Sequence, residues 1–266
     1  VLRRHMLTAI TRQVSPKLAE CELTYVSREP MDVALAARQH SAYEETLAQL
    51  GTNVISLPAL ADHPDCVFVE DAAIVLDEIA VITRMGAAAR RGESESLAGE
   101  LARFRPLVRM TAPATLEGGD VVRIGRTLFV GLSTRTNAEG VAQLAVLTAP
   151  YGYQVTPVPV TGCLHLKTAC CRLDDEAVLA NRNWFDAQAF SGYRILDVAS
   201  DEPGAADVLP LDGAVLMPSS FPKTAEILAQ AGFRPRGIDV SELQKAEAGV
   251  TCMSFVFEAG MLEAAS

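Results

Sequence analysis

Cys252, His165 and Glu117 are the side chains in this chain best suited to covalent chemistry. A cysteine supplies a nucleophile, a histidine an acid and base of convenient pKa, and a carboxylate can orient the imidazole. Glu117 opens the run Glu117-Gly118-Gly119-Asp120, in which two glycines beside carboxylates imply close backbone approach or positive φ. Each residue alone has an ordinary explanation: a lone cysteine packs as a small hydrophobe, and a histidine in an apolar run is a hydrogen-bonded core residue. Their spacing argues for more. Glu70, Glu117 and His165 are separated by 47 and 48 residues, Cys252 follows 87 later, close to two further steps, and 47 before Glu70 stands Leu23. A period in the forties suggests a repeated supersecondary unit whose equivalent positions meet at one centre.

Other groups can be sorted the same way. Glu70 and Asp71 are adjacent acids, which on a strand point to opposite faces, so one of them faces the centre unless the strand ends there. Arg84, Arg90, Arg91 and Arg135 are candidate anion ligands. Cys163, His165, Cys170 and Cys171 lack zinc-ligand spacing, because intervals of 1, 4 and 0 residues scatter them over mixed faces. Neither a metal nor a cofactor is expected.

The elements that must position these groups read as strands and helices in alternation. Amphipathic or capped stretches predict helices over 31–50, 93–104, 136–148 and 222–231, the last with proline in its first turn and Gly232 after its end. Short apolar, β-branched runs predict strands over 5–11, 52–57, 66–69, 72–76, 79–83, 107–111, 121–124, 128–130, 154–158, 164–173, 177–180, 207–211, 214–218 and 251–258. Each block is roughly strand, strand, helix, strand. A ring of such blocks is an α/β propeller with a central channel. No linker composition interrupts the pattern, so 1–266 is expected to be a single domain.

Composition narrows the partners. The chain has 266 residues, a formal net charge of −10, 49% hydrophobic and 21% charged residues. An acidic surface repels phosphate backbones and argues against nucleic acid, while a cationic small molecule suits it. No apolar run has the length of a membrane span, and no apolar stretch of signal-peptide length follows the basic residues at the start. Six cysteines without a C-x-x-C pair are expected to be reduced thiols of a cytoplasmic protein.

Several short motifs appear together and in order: Phe-Val-Glu-Asp at 68–71, Ile-Thr-Arg at 82–84, Arg-Arg-Gly-Glu at 90–93, Leu-Glu-Gly-Gly-Asp at 116–120, Ser-Thr-Arg-Thr-Asn at 133–137, His-Leu-Lys at 165–167, and Cys252. In combination they resemble the guanidino-group-modifying pentein enzymes, and within them the dimethylarginine dimethylaminohydrolases. The resemblance covers nearly the whole chain. It implies a five-bladed α/β propeller, with Cys252 attacking a guanidinium carbon, His165 protonating the leaving amine and then activating water, and Glu117 beside the histidine. It further implies that Glu70 and Asp71 pair with the guanidinium and the substrate chain, that Arg90 and Arg135 take the α-carboxylate, and that Asp65 takes the α-ammonium. Leu23 would lie in a lid, and Ala246, where the family usually carries a bulkier aliphatic, would contribute through its backbone. The implied reaction converts Nω-methylated arginines to citrulline and a methylamine without metal.

Two alternatives stay open. Deiminases of this superfamily usually carry His-x-Asp, whereas here Lys167 stands at that position and is expected to turn away from a cationic substrate. An arginine deiminase-like hydrolase is therefore the second reading, and a non-catalytic arginine- or guanidine-binding protein the third. A homodimer is left open.

Overall fold

The computed structural model describes residues 7–259. In chain order, β1 (Leu7–Arg12) is followed by α1 (Val33–Gln49) and β2 (Asn53–Leu57). Next come β3 (Ala73–Val75), β4 (Ala80–Ile82), α2 (Glu93–Leu101) and β5 (Leu107–Arg109). The third block is β6 (Val121–Ile124), β7 (Thr127–Leu132), α3 (Ala138–Thr148) and β8 (Gln154–Pro159). Then follow the single turn α4 (Leu166–Ala169), β9 (Cys170–Arg172), β10 (Ala177–Ala180) and β11 (Arg194–Asp197). The last elements are β12 (Leu209–Leu211), β13 (Ala214–Pro218), α5 (Pro222–Gln230), β14 (Pro235–Ile238), the short α6 (Ser241–Gln244) and β15 (Phe255–Glu258).

These strands form five three-stranded sheets with one plan. A first strand pairs antiparallel with a second, and the second pairs parallel with a third: β3-β4-β5, β6-β7-β8, β9-β10-β11, β12-β13-β14. The remaining sheet repeats this plan with β15 as its first strand, antiparallel to β1, while β1 runs parallel to β2. The seam between Leu7 and Glu258 thus closes the ring.

The ring is held by apolar packing between neighbouring sheets. Successive side chains of a strand point to opposite faces, and here each face meets a different neighbour. Ala9, Ala36 and Tyr43 pack with Leu211, Leu216 and Ile238 on one side, while Ile10 packs with Ala73, Ile82 and Phe257 on the other. Ile74 joins Val121, Val130 and Leu144; Val122 joins Cys170 and Val178; Cys171 and Leu179 join Val215 and Leu228. With both faces covered, strands read as continuous apolar runs instead of alternating ones.

The predicted helices are all present, with shifted ends. The span 66–69 is not a strand but a turn leading into a 3₁₀ helix at Val69–Ala72. The span 164–173 is split: α4 intervenes before β9, so His165 flanks a helical turn instead of lying in a strand. In 251–258 only Phe255–Glu258 is extended. The strands β11 and β14 were not anticipated. Of the expected strand 5–11, residues 5 and 6 lie outside the described residues.

Candidate active site

Glu70, Glu117, His165 and Cys252 all stand a few residues ahead of the first strand of a sheet: β3, β6, β9 and β15. The fifth sheet supplies Asp207 ahead of β12. The repeat therefore delivers one polar side chain from each sheet to the centre. Sequence reading passed over Asp207, although it lies at the intermediate step between His165 and Cys252 that the period itself marks.

Glu117 is fully buried, and its Oε2 lies 2.8 Å from His165 Nε2. Its Oε1 accepts the Ala87 N–H at 3.0 Å and lies 3.5 Å from Arg135 Nη1. The other imidazole nitrogen, Nδ1, is 3.9 Å from Asp71 Oδ1. The two glycines after Glu117 are needed for close approach, not for positive φ. A Cβ on Gly118 would meet Glu70 O at 1.9 Å, and one on Gly119 would meet His165 Nδ1 at 2.5 Å. Gly119 N–H also donates to Asp71 Oδ1 at 3.1 Å. Asp120 fixes the histidine's segment by accepting the Leu166 N–H at 2.9 Å and the hydroxyls of Ser133 and Thr136 at 2.6 and 2.7 Å.

Charge states follow from these contacts. Burial works against an imidazolium at 165, but Asp71, the Glu117 hydrogen bond and Asp120 prevail and raise His165 to about 9. Burial likewise works against the Glu117 anion, but His165, Arg90 and Arg135 bring it down to about 2. Burial pushes the Cys252 thiol well above its ordinary range, and Asp207, Glu70 and Asp71 add to that. The Gly249 N–H, 3.4 Å from Sγ, opposes them weakly. At neutral pH the ligand-free site therefore holds a thiol beside an imidazolium.

Two cavities share the centre. One of about 850 Å³ runs along the first strands of the five sheets. The other, about 20 Å³, has Asp65, Asp71, Arg135, His165, Ala246 and Cys252 in its wall, a volume near that of one water. Neighbouring residues divide between them: Asp71 and Cys252 line the small one, Glu70 and Thr251 the large one. Glu70 is turned from the small cavity by Lys167 Nζ, 2.5 Å from Oε1, and by the Thr251 hydroxyl, 2.8 Å from Oε2. This departs from the expectation that Glu70 and Asp71 act together on one ligand. Lys167 does turn away from the small cavity, as expected of a cation there.

The remaining expected residues lie as follows. Arg90 lines the small cavity, but its nitrogens already donate to protein: Nη1 to Asp71 Oδ2 at 2.6 Å, Nη2 to Phe68 O and Glu93 Oε2 at 3.0 Å, and Nε to Glu93 at 3.3 Å. It is placed to hold Asp71 more than to receive a ligand. Arg135 Nη2 donates to Thr24 Oγ1 at 3.1 Å. Asp65 accepts the Glu22 N–H at 3.2 Å. Leu23 and Cys252 both pack against the apolar cluster that includes Ala246. The segment after it is strapped by Glu247, whose carboxylate accepts the N–H groups of Thr24, Tyr25 and Val26; Tyr25 and Val26 are exposed.

Among the described residues, Asp71, Glu117 and His165 form the one group whose ligand atoms, all within 4.8 Å of one another, could hold a metal ion. Arg90 and Arg135 already neutralise two of its carboxylates, so a dication would meet two adjacent cations. A monocation entering the small cavity meets Asp65 and Asp71 in its wall without needing ligand geometry.

The comparisons with known proteins agree with this fold. Residues 58–202 match the arginine deiminase family profile. The N(G),N(G)-dimethylarginine dimethylaminohydrolase of Streptomyces coelicolor is 42% identical over 247 residues, 92% of this chain and 95% of that one. The chain belongs to the dimethylarginine dimethylaminohydrolase family. The Pseudomonas aeruginosa member is 36% identical over 85% of this chain and 90% of its own. A cysteine-to-serine mutant of the Pseudomonas aeruginosa enzyme, complexed with citrulline, superposes with a TM-score of 0.90 at 34% identity, covering 95% of this chain and all of that one. A histidine-to-glycine variant of a dimethylarginine dimethylaminohydrolase, solved as an adduct with S-methyl-L-thiocitrulline, has the same TM-score and identity and covers 94% and 99%. Five sheets in a ring are therefore the pentein fold of this family.

Proposed function

We propose that this protein hydrolyses Nω-methylated arginines to citrulline and a methylamine through a covalent intermediate on Cys252. The observation that carries the reading is the convergence of a thiol, an imidazolium held by Glu117 and the Asp71 carboxylate on one small cavity. The relatives named above support it, one being solved with citrulline and another as a thiocitrulline adduct.

The chemistry follows from the charge states. A guanidinium docking against Asp71 places a positive charge beside Cys252, which lowers the thiol pKa and yields thiolate where it is needed. The thiolate attacks the guanidinium carbon. His165, already protonated, gives its proton to the departing methylamine, leaving an S-alkylthiouronium on Cys252. The neutral imidazole then takes a proton from water, whose attack releases the ureido product and restores thiol chemistry. Glu117 keeps the ring oriented and stabilises its charged form. Arg135 is the arginine best placed for the substrate α-carboxylate and Asp65 for the α-ammonium, while Arg90 holds Asp71 in place. A cavity of one water's volume cannot admit the substrate, so the strapped segment around Leu23 must move on binding.

Lys167, paired with Glu70, favours methylated substrate over arginine. No second carboxylate from that position is available to clamp an unmethylated nitrogen edge, and unpaired polar groups in a closed site cost about 1–3 kcal/mol each. The test is kcat/KM for asymmetric dimethylarginine, monomethylarginine and arginine side by side, with products identified by mass. Methylated substrates should lead by roughly tenfold or more. Arginine as the best substrate would install the deiminase reading, and no product from any of them would leave a binding protein.

A further inference from the structure

Asp207 is a buried carboxylate, 4% exposed, that the steps above do not use. Its Oδ2 lies 3.8 Å from Cys252 Sγ, within reach of an S–H donor, and its Oδ1 accepts the Thr251 N–H at 2.9 Å. The chain has made room for it. A Cβ on Gly249 would fall 2.0–2.4 Å from the Asp207 carboxylate, although Gly249 is not among the positive-φ glycines. The Thr251 hydroxyl stands between two acids, 2.8 Å from Glu70 Oε2 and 3.3 Å from Asp207 Oδ2. A hydroxyl has one proton. When it serves Glu70, Asp207 Oδ2 keeps a lone pair for the Cys252 S–H.

The other acids at the centre are engaged. Asp71 pairs with Arg90, Glu70 with Lys167, and Glu117 with His165 and Arg135. His165 already carries the proton that the leaving amine needs, so it cannot also accept one from sulfur at that stage. Among the described residues, Asp207 has hydrogen-bonding side-chain partners only in Thr251 and Cys252.

We propose that Asp207 is the proton acceptor of the nucleophile: as the substrate cation docks, the Cys252 S–H bond breaks, its electron pair stays on sulfur, and an O–H bond forms at Asp207 Oδ2. From there Thr251 and Glu70 lead to the 850 Å³ cavity, which Cys252 does not line. Groups facing Asp207 support an acid able to take and return a proton near neutrality. Burial and Glu70 raise it to about 7, the Thr251 N–H and Lys167 restrain that rise, and Cys171 and Tyr43 also feel its charge.

This inference rests on Cys252 as the nucleophile and is tested by two measurements on Asp207→Asn, which keeps the shape and removes the charge. Alkylation of the ligand-free thiol by iodoacetamide should become faster at a given pH, because a neighbouring anion is gone. Turnover should nevertheless fall by roughly 100-fold or more, as loss of a proton acceptor does, with its limb near pH 7 removed from the pH profile. An acid that merely suppresses the thiolate would give faster alkylation and faster turnover, so turnover at or above the unaltered level overturns the proposal. If the variant does not fold, infrared difference spectra of the unaltered protein with and without saturating methylguanidine decide the matter. Loss of the S–H band with gain of a carboxylic-acid band supports the transfer; an unchanged S–H band, or its loss without the acid band, refutes it. These spectra do not depend on which methylarginine is turned over, so the two readings fail separately.

Discussion

Arg90 and Arg135 carry the same charge and stand in the same wall, yet they should behave differently when removed. Arg90 is buried between Asp71 and Glu93. Arg90→Ala leaves two buried carboxylates without their cation, which costs about 3–5 kcal/mol, and it frees Asp71 to rotate. We expect a lowered urea midpoint and a fall in kcat at least as large as any rise in KM. Arg135→Ala should cost less stability, because Glu117 keeps His165 as its partner, and should raise KM, by roughly 1.5–3 kcal/mol if a charge-assisted hydrogen bond to substrate is lost. Steady-state kinetics with urea titration separates them. His165 gives a pH signature. Its pKa rises from 6.5 in the unfolded chain to about 9 in the fold, so its contribution is complete below pH 6.5 and lost as pH climbs through 9. That contribution is on the order of 3 kcal/mol. Glu117, lowered from 4.5 to about 2, contributes above pH 4.5 and loses its share as pH falls toward 2. The contribution of this pair should therefore be greatest between about pH 4.5 and 6.5, and His165→Gln should flatten the alkaline decline. Cys252 and His165 were legible from sequence because their types are rare and reactive. Asp207 was not, because an acid opening the predicted strand 207–211 belongs to none of the motifs that mark a site.

At the scale of elements, the Glu117-Gly-Gly-Asp turn shows two adjacent glycines with different duties. A Cβ at 118 strikes backbone, the carbonyl of Glu70, which cannot swing aside. A Cβ at 119 strikes the His165 ring and Asp71. Gly118→Ala should destabilise the fold by about 1–3 kcal/mol or more, visible as a lower Tm. Gly119→Ala should reduce kcat by roughly 100-fold with a smaller loss of Tm, since the imidazole must leave its position. Equal losses of stability with unchanged kcat in both would contradict this division. Close approach was readable here because glycines interrupt an otherwise strand-like run. The third strands β11 and β14 were not, because Arg194–Asp197 and Pro235–Ile238 are short, half-exposed and hold proline and glycine or charged ends. The predicted strand at 164–173 failed for a related reason: one turn of helix is too short to show a 3.6-residue period.

The whole molecule was legible through its period. Five sheets of one topology place equivalent positions at a common centre, and a repeat in the forties is the length of strand, strand, helix and strand together. Which cavity each central residue would face could not be read that way. Glu70 and Asp71 are neighbours, and the pairing of Glu70 with Lys167 and Thr251, residues 97 and 181 positions on, assigns one to each. Nor does sequence disclose that β15 closes a sheet begun by β1, since strands of four and six residues give no hint of their partners.

That closing seam makes ring order independent of chain order. Leu7 sits opposite Glu258 in an antiparallel pair, a separation a tight turn can bridge. The hairpin tip at Asp212 and Gly213, both at positive φ, joins β12 to β13 and touches none of the residues around Cys252. A circular permutant joined across the seam and cut at that tip would keep all five central side chains on their own strands. In it, Cys252 would lie near the start of the chain and Asp207 near its end. The site belongs to the closed circle, and the place where the backbone happens to begin is incidental to it.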